Sequence, residues 1–392
     1  MTEHTDTHIG ARLRDVRKRR GLTQRELARS SGVSLSLIRK LEQGELVGTR
    51  METARLLAVA LRVPTARLLR RDADPADAAT TDQWAPVRAA FLAPPADTLD
   101  EEPTTAGISR ALAAAEPLFA TVHLSGLATV VPPLIRDADA LTGTDRRTRA
   151  VQVRVLQLAG WLLTQTRQYE GAAAALDRAL DMAPDRLDGA ATVSTMAWLM
   201  LRQGRLEEAR ELSVRWADET EPRMSRATPA ELAAWGWMLL RTGAAAVRDN
   251  RPGEAADALR LARAAAAALG RDDAAGVDRM RRFGPLRVQQ YAVEHAAVQG
   301  RPETVLRLAA RMPADIPPSS SHARHRLDVA DAHARLRQHE EAMRILQELR
   351  AERPEWLRQQ RYARDITCRI IGRRRTLTAE MRELADAIGV PV

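Results

Sequence analysis

The chain has 392 residues, of which 45% are hydrophobic and 28% charged, with a net charge of +9. No apolar run reaches the ~18 residues that a membrane span needs, and the polar N-terminus lacks the apolar core of a signal peptide. A single cysteine, Cys368, excludes an internal disulfide. We therefore exclude a membrane protein and a disulfide-stabilised secreted domain, and expect a cytoplasmic globular protein.

The positive charge is concentrated at the N-terminus. Residues 1–70 contain 15 Lys/Arg and 7 Asp/Glu, a net charge of +8, whereas the remaining 322 residues contain 45 and 44, a net charge of +1. Only two basic residues are lysines, Lys18 and Lys40, so part of the arginine content reflects a GC-rich genome. Codon bias does not explain the uneven distribution, which indicates a polyanionic partner for the first domain.

The first 70 residues predict five short helices. Apolar residues at i, i+4 and i+7 predict a first helix over Ile9–Arg19, which Gly21 ends. Thr23 and Glu26 form a capping box for a second helix. Ala28 lies in the middle of that helix, where a small side chain allows two helices to cross.

The next helix follows a tight turn. Residues 31–33 form the turn, and Ser34 caps a third helix, Leu35–Gln43, that Gly44 stops. Two more helices complete this all-α domain. Their start signals are Thr49 with Glu52, as a capping box for a fourth helix at about Arg50–Leu61, and Pro64 for a short fifth.

This domain resembles the Cro/phage-repressor family of helix-turn-helix regulators, also called the xenobiotic-response-element family. The residues that carry the resemblance are Leu22-Thr23-Gln24, Leu27-Ala28, Gly32-Val33-Ser34, Ile38 and Leu41-Glu42-Gln43-Gly44. The resemblance covers about 60 residues and implies that the third helix enters the major groove of DNA.

The resemblance also implies roles for individual residues. Candidates for contacts to base edges are Leu35, Ser36 and Lys40. Candidates for contacts to the DNA backbone are Thr23, Gln24, Arg39, Gln43 and Arg50. Arg17 and Glu42 are expected to form a partly buried salt bridge that joins the first helix to the third. The alternative for each DNA-contact candidate is an ordinary solvated surface residue.

Residues 71–105 are expected to be a linker with a short helix. Pro, Asp and Thr cluster in 71–82 and 93–105 and break helices. Between these stretches, Trp84, Val87 and Phe91 follow a helical spacing.

Residues 106–392 read as paired helices with short turns. One small or aliphatic position recurs at intervals of 37, 46, 50 and 37 residues, at Ala172, Ala209, Ala255, Val305 and Ala342. Residues 150–356 resemble the tetratricopeptide family, which implies an α-solenoid. The second repeat departs from the pattern at Trp216, where a small residue is expected, and two repeats carry insertions. Helices at about 356–371 and 378–388 are expected to cap the stack.

The spacing of the tetratricopeptide family predicts which residues face the concave groove. The expected groove residues are Arg154, Gln157, Trp161, Gln165, Ser194, Trp198, Arg202, Trp237, Arg248, Arg287, Gln290, Glu294, Arg324, Asp331 and Arg335. Tryptophan with arginine suits a peptide or an anionic, partly aromatic ligand. The alternative is that the three tryptophans pack between helices.

A helix-turn-helix domain followed by such repeats resembles the peptide-pheromone receptors of Gram-positive bacteria. That resemblance implies a peptide effector in the groove. Oligomerisation through the repeats is the other standard use of such a module and is compatible with the first. We therefore expect a homodimer whose two recognition helices bind a near-palindromic operator. One departure is that this family holds its peptide with groove asparagines, whereas Asn250 is the only asparagine here and falls at a turn. Glutamine and arginine could substitute, so the ligand class stays open.

The sequence contains no motif for catalysis, and we expect a protein that is not an enzyme. A phosphate-binding glycine loop, a G-x-S-x-G motif and an H-E-x-x-H motif are all missing. His322 and His325 lack a third metal ligand nearby, so we expect no metal and no cofactor. The prediction is a nucleoid-associated transcriptional regulator controlled by its repeats. The alternative is a protein-interaction scaffold tethered to DNA, with no small ligand.

Overall fold

The computed structural model describes residues 8–46, 48–69, 84–92, 102–272, 281–372 and 376–391. Within these ranges every regular element is a helix, which matches the all-α prediction. None of these helices is both long and apolar enough to cross a membrane. The N-terminal domain consists of α1 Ile9–Arg19, α2 Gln24–Ser31, α3 Leu35–Glu42, α4 Met51–Leu61 and a 3-10 helix, Thr65–Arg67.

The predicted caps set the boundaries of α2 and α3. The Thr23 hydroxyl accepts a hydrogen bond from the Glu26 amide at 3.2 Å, and the Thr23 amide donates to the Glu26 carboxylate at 2.7 Å. Gly32 ends α2 in the left-handed conformation, with φ at 70°, where a β-carbon would be strained. Ser34 caps α3 by accepting from the Leu37 amide.

The capping box expected for α4 is not formed, and this prediction was wrong. The helix begins one residue later, at Met51, with Arg50 as an N-cap whose side chain makes no capping bond. Glu52 is drawn away from the helix terminus because its carboxylate pairs with Arg335 and Arg369 of the C-terminal domain. A tertiary contact has replaced a local one.

The helix in the expected linker belongs to the C-terminal body. This helix, α5, spans Ala85–Leu92, and Trp84, Val87 and Ala90 are buried in the same core as the first repeats. Arg88 donates to the Gln168 side chain at 2.5 Å. Residues 71–83 and 93–101 of the predicted linker lie outside the described residues.

A hairpin of α6 Thr105–Thr121 and α7 Leu124–Ala140 precedes five helical pairs. The first helices of the pairs are α8 Arg146–Gln165, α10 Arg186–Arg202, α12 Pro229–Arg248, α14 Pro285–Val298 and α16 Ser320–Arg335. The second helices are α9 Tyr169–Asp181, α11 Leu206–Thr220, α13 Pro252–Leu269, α15 Pro302–Ala309 and α17 His339–Glu352. The recurring small positions all lie in second helices and are at most 1% exposed, as a packed solenoid requires.

Glycines allow close approach between paired helices. A β-carbon on Gly160 would lie 2.6 Å from the Leu176 side chain, and one on Gly189 would lie 2.5 Å from the Trp216 ring. The large side chain at Trp216, which departs from the family pattern, is therefore accommodated by a glycine on the facing helix. At this contact the large residue lies on the second helix and the small residue on the first, so the two helices still pack closely.

The described residues of the C-terminal cap form three helices where two were expected. These are α18 Pro354–Arg358, α19 Arg361–Ile371 and α20 Ala379–Ile388. Trp356, Ile366 and Leu384 join the core of the first and fifth repeats. The cap therefore closes the stack and continues its hydrophobic core.

Replacing Gly236 with alanine should lower the free energy of unfolding by about 1–3 kcal/mol, because the added methyl overpacks a filled core. The new β-carbon would overlap the buried ring of Phe283. Urea unfolding followed by tryptophan fluorescence measures the change, since Trp235 and Trp237 flank the site. Gly253→Ala is the control, because a β-carbon there meets nothing within 4 Å. Equal stability of the two variants would contradict this packing.

Candidate DNA-binding face and solenoid cavity

Helix α3 presents one buried and one exposed face. Ile38 and Leu41 are fully buried in the N-terminal core. The residues that are exposed on the opposite side are Ser36, Arg39, Lys40 and Gln43. Leu35, at the start of the helix, is half-buried. Four polar side chains are thus available along one helix face, in the arrangement that reading of a major groove requires.

The expected pair between α1 and α3 is present. Arg17 Nε donates to Glu42 Oε1 at 2.6 Å and Nη2 donates to Oε2 at 2.7 Å, so the pair is bidentate. The two side chains are 10% and 3% exposed. Burial alone would raise the pKa of Glu42, but hydrogen bonds from Arg17 and Gln24 hold that pKa below its usual value. The pair fixes α3 against α1.

Two of the residues that were expected to contact the DNA backbone, Thr23 and Gln24, also form hydrogen bonds within the protein. Gln24 Nε2 donates to Glu42 Oε2 at 2.8 Å, and the Thr23 hydroxyl accepts the capping bond. Gln24 still has its second amide hydrogen to donate, and Thr23 still has its hydroxyl hydrogen. Both side chains are thus oriented by the protein and can still donate to a phosphate.

The sequence suggested that Arg50 contacts the DNA backbone, but in the structure this side chain forms an ion pair with the C-terminal part of the chain. Its Nη1 lies 2.9 Å from Asp365 Oδ1 on α19. Burial raises the pKa of Asp365, and the nearby Arg50 opposes that rise. The side chain of Arg50 is 56% exposed. It is therefore a half-solvated residue of the junction between the domains.

A small ion-pair network continues this junction. Glu52 on α4 accepts from Arg335 Nη2 at 2.6 Å and lies 3.6 Å from Arg369 Nη2. Arg335 also pairs with Asp331, which is 2% exposed. The start of α4 is in this way tied to the end of α16 and to α19.

A second set of contacts joins the 3-10 helix to the turn between α12 and α13. Asp249 Oδ1 accepts from the Ala66 amide at 2.7 Å, and its carbonyl accepts from the Thr65 amide at 3.4 Å. Asn250, which adopts a left-handed φ of 57°, lies 3.5 Å from the Val63 carbonyl. The Asp249 side chain is fully buried here, so its hydrogen bond stabilises this junction.

A cavity of about 3060 Å³ lies between α4 and the concave side of the solenoid. Nine of the fifteen residues expected in the groove line it, namely Trp161, Gln165, Trp198, Arg202, Arg248, Gln290, Glu294, Arg324 and Arg335. Among them, Glu294 pairs with Arg248. Burial would raise the pKa of Glu294, but Arg248 and Arg324 lower it, so this carboxylate stays charged.

The other six, Arg154, Gln157, Ser194, Trp237, Arg287 and Asp331, are not among the cavity-lining residues, and their assignment is corrected. The chain just before α14 accounts for two of them. Trp237 Nε1 donates to the Arg281 carbonyl at 3.0 Å, and the Arg281 guanidinium donates to Gln157 at 2.5 Å. Arg287 stacks on the Trp237 ring and donates to Gln290. Ser194 accepts a hydrogen bond from Arg241, and Asp331 accepts one from Arg335.

Several residues that line the cavity were not predicted from the sequence. Arg241 lies one helical turn after Trp237, so the same periodicity would have found it. Arg55 on α4 and Tyr362 on α19 carry no such signal, because they reach the cavity from outside the predicted repeats. Burial lowers the pKa of Arg55, and the neighbouring Arg248 lowers it further.

Comparison with known proteins identifies both parts of the chain. Residues 13–68 match the helix-turn-helix family model, and residues 163–222 match a tetratricopeptide repeat model. The N-terminal domain is a Cro/repressor-type helix-turn-helix domain. It is followed by a tetratricopeptide-like solenoid. No curated protein matches the chain significantly.

One solved structure with a detectable likeness is that of PlcR from Bacillus thuringiensis in complex with the peptide PapR7 and DNA. It is 11% identical, with 86% of this chain and 98% of that chain covered, and the TM-score is 0.37. A likeness this distant leaves the function to be argued from this chain's own residues. Within the described ranges, no group of three or more His, Cys, Asp or Glu residues could hold a metal ion.

Proposed function

We propose that the chain is a sequence-specific DNA-binding transcriptional regulator whose solenoid senses a peptide or small ligand. The observation that carries the proposal is the relation of the two domains. The polar face of α3 is exposed and does not line the cavity, whereas α4 of the same domain forms part of the cavity wall. DNA and a ligand would therefore contact different sides of one small domain.

The contacts at the junction favour control over simple tethering. Glu52 and Arg55 reach the ends of α16 and α12, and Asp249 binds the 3-10 helix. A ligand that shifts these helix ends has to change the same contacts. That gives it a differential free energy between two domain arrangements, which coupling requires.

Two copies of the chain would place two recognition helices in successive major grooves, about 34 Å apart, on a near-palindromic operator. The repeats, which commonly mediate association, would hold the copies together. The protein would act on the nucleoid in the cytoplasm.

Replacing Asp365 with asparagine should strengthen binding to duplex DNA of any sequence. The change removes the charge that pairs with Arg50, leaving that side chain available to a phosphate. One added phosphate contact should steepen the slope of log K against log salt by about 0.9. Fluorescence anisotropy of a labelled duplex between 50 and 200 mM salt, a range we choose for its sensitivity to phosphate contacts, measures both effects.

Asp386→Asn is the matched control, because it makes the same charge change at an exposed position of α20 in the same cap. An Arg50→Gln background should abolish the gain from Asp365→Asn. If the Asp365 and Asp386 variants have the same salt slope, Arg50 does not reach DNA.

A further inference from the structure

The concave wall of the cavity carries an excess of positive charge. The first helices of the repeats contribute five arginines to the lining, at 202, 241, 248, 324 and 335, but only two carboxylates, Glu294 and Asp328. Such a concave, partly dry surface concentrates its potential on whatever enters it.

Three of the five arginines are neutralised by the protein itself. Arg248 pairs with Glu294, and Arg324 lies 3.2 Å from Asp328. Arg335 pairs with Asp331 and Glu52. These cations are part of the structural networks of the solenoid and the domain junction.

Arg202 and Arg241 have no carboxylate partner among the described residues. Arg202 packs over the Trp198 ring at 5.4 Å, and its Nε is buried without a hydrogen-bond partner. Arg241 donates to the Ser194 hydroxyl at 3.1 Å and to the Tyr291 hydroxyl at 2.9 Å, both neutral groups. Both residues are partly buried, and a cation withdrawn from water without a counter-charge is costly.

Arg202 and Arg241 lie on neighbouring first helices, and each packs on an indole, Arg202 over Trp198 and Arg241 over Trp237. Ser194, Trp198 and Arg202 follow one another at i, i+4 and i+8, so they form one stripe along α10. Arg241 meets this stripe at Ser194 from α12. Burial lowers the pKa of Arg202, a hydrogen bond with the Tyr169 side chain opposes that change, and the nearby Arg167 and Arg324 lower the pKa further.

We propose that Arg202 and Arg241 form an oxyanion site beside Trp198, and that the cavity takes a ligand carrying a carboxylate or a phosphate at this position. The guanidinium groups would supply the charge-assisted hydrogen bonds, and the indole would cover the adjoining part of the ligand. This inference rests on the proposal that the cavity is the sensor site.

The test titrates the whole chain with sodium phosphate and, separately, with sodium succinate, each at constant ionic strength set with sodium chloride. Tryptophan fluorescence reports on the C-terminal part of the chain, because all seven tryptophans lie at residue 84 or later, outside the DNA-binding domain. We expect saturable binding of at least one probe. Tighter binding of phosphate would identify a phosphate ester as the ligand group, and tighter binding of succinate a carboxylate.

Arg202→Gln should weaken that binding about tenfold or more, the effect of removing a hydrogen bond from a charged group. Arg241→Gln should also weaken it, and serves if the first variant does not fold. Arg260→Gln is the matched control, since Arg260 is an exposed residue of α13 paired with Asp257. Absence of saturable binding, or equal affinity in all three variants, would overturn the site.

DNA affinity separates this inference from the proposed function. If wild-type protein binds DNA specifically but neither anion quenches its fluorescence in a saturable way, the oxyanion site alone fails. If an anion binds through Arg202 and Arg241 while DNA affinity stays unchanged, the site is supported and the sensing proposal fails.

Discussion

Replacing Glu42 with alanine should abolish DNA binding by unfolding the N-terminal domain. The substitution leaves the Arg17 guanidinium buried without its bidentate partner, and breaking a buried pair in this way costs about 3–5 kcal/mol. It also removes the acceptor of the Gln24 side chain. A whole domain is stabilised by only about 5–15 kcal/mol, so such a loss is decisive in a domain of this size.

Hydrogen exchange resolved over residues 9–69 measures this effect, because tryptophan fluorescence reports only on the C-terminal body. Glu45→Ala is the control, since it removes the same charge from an exposed position of the same domain. Converting both partners to apolar residues, Arg17→Met with Glu42→Leu, should restore protection, because no charge is then left buried. If Glu42→Ala retains full protection, the pair does not hold α1 and α3 together.

Replacing Lys40 with alanine should weaken binding to the preferred DNA sequence by about 1–3 kcal/mol, the value of a good base contact. That is a loss of about 5- to 150-fold. Lys40 is exposed on the polar face of α3, where its ammonium can donate to a guanine. Because the loss is confined to a specific contact, discrimination between the preferred and a scrambled duplex should fall with it.

Lys18→Ala is the natural comparison, since Lys18 is the only other lysine and is exposed on α1. Both changes remove one positive charge from the same domain, so their shared effect is the general electrostatic one. Competition binding with preferred and scrambled duplexes separates the two. Equal loss of discrimination in both variants would contradict a base contact from Lys40.

The sequence predicted the features that depend on neighbouring residues. Both ends of α2 follow from the Thr23 cap and Gly32, and the start of α3 follows from the Ser34 cap, because these residues act within one turn. The Arg17–Glu42 pair came from the family pattern. The small positions of the repeats were identifiable because each one packs against its own hairpin.

Features that depend on contacts between distant segments of the chain could not be predicted from neighbouring residues. Arg50 was expected at DNA but pairs with Asp365, near the opposite end of the chain. Trp237 has the right helical spacing for the groove, yet its indole donates to the Arg281 carbonyl and the Arg287 guanidinium packs on its ring. Periodicity identifies which residues share one face of a helix. Which of those residues remain accessible to a ligand depends on the other segments that pack against that face.

The central claim is that α3 reads a DNA sequence, and selection of bound duplexes from a random library tests it most directly. The wild-type chain should enrich one near-palindromic sequence, with half-sites about one helical turn apart. The Ser36→Ala, Lys40→Ala double variant should enrich a different sequence or a weaker consensus. Failure of the wild type to enrich any common sequence, or enrichment of an identical sequence by both proteins, would contradict the claim.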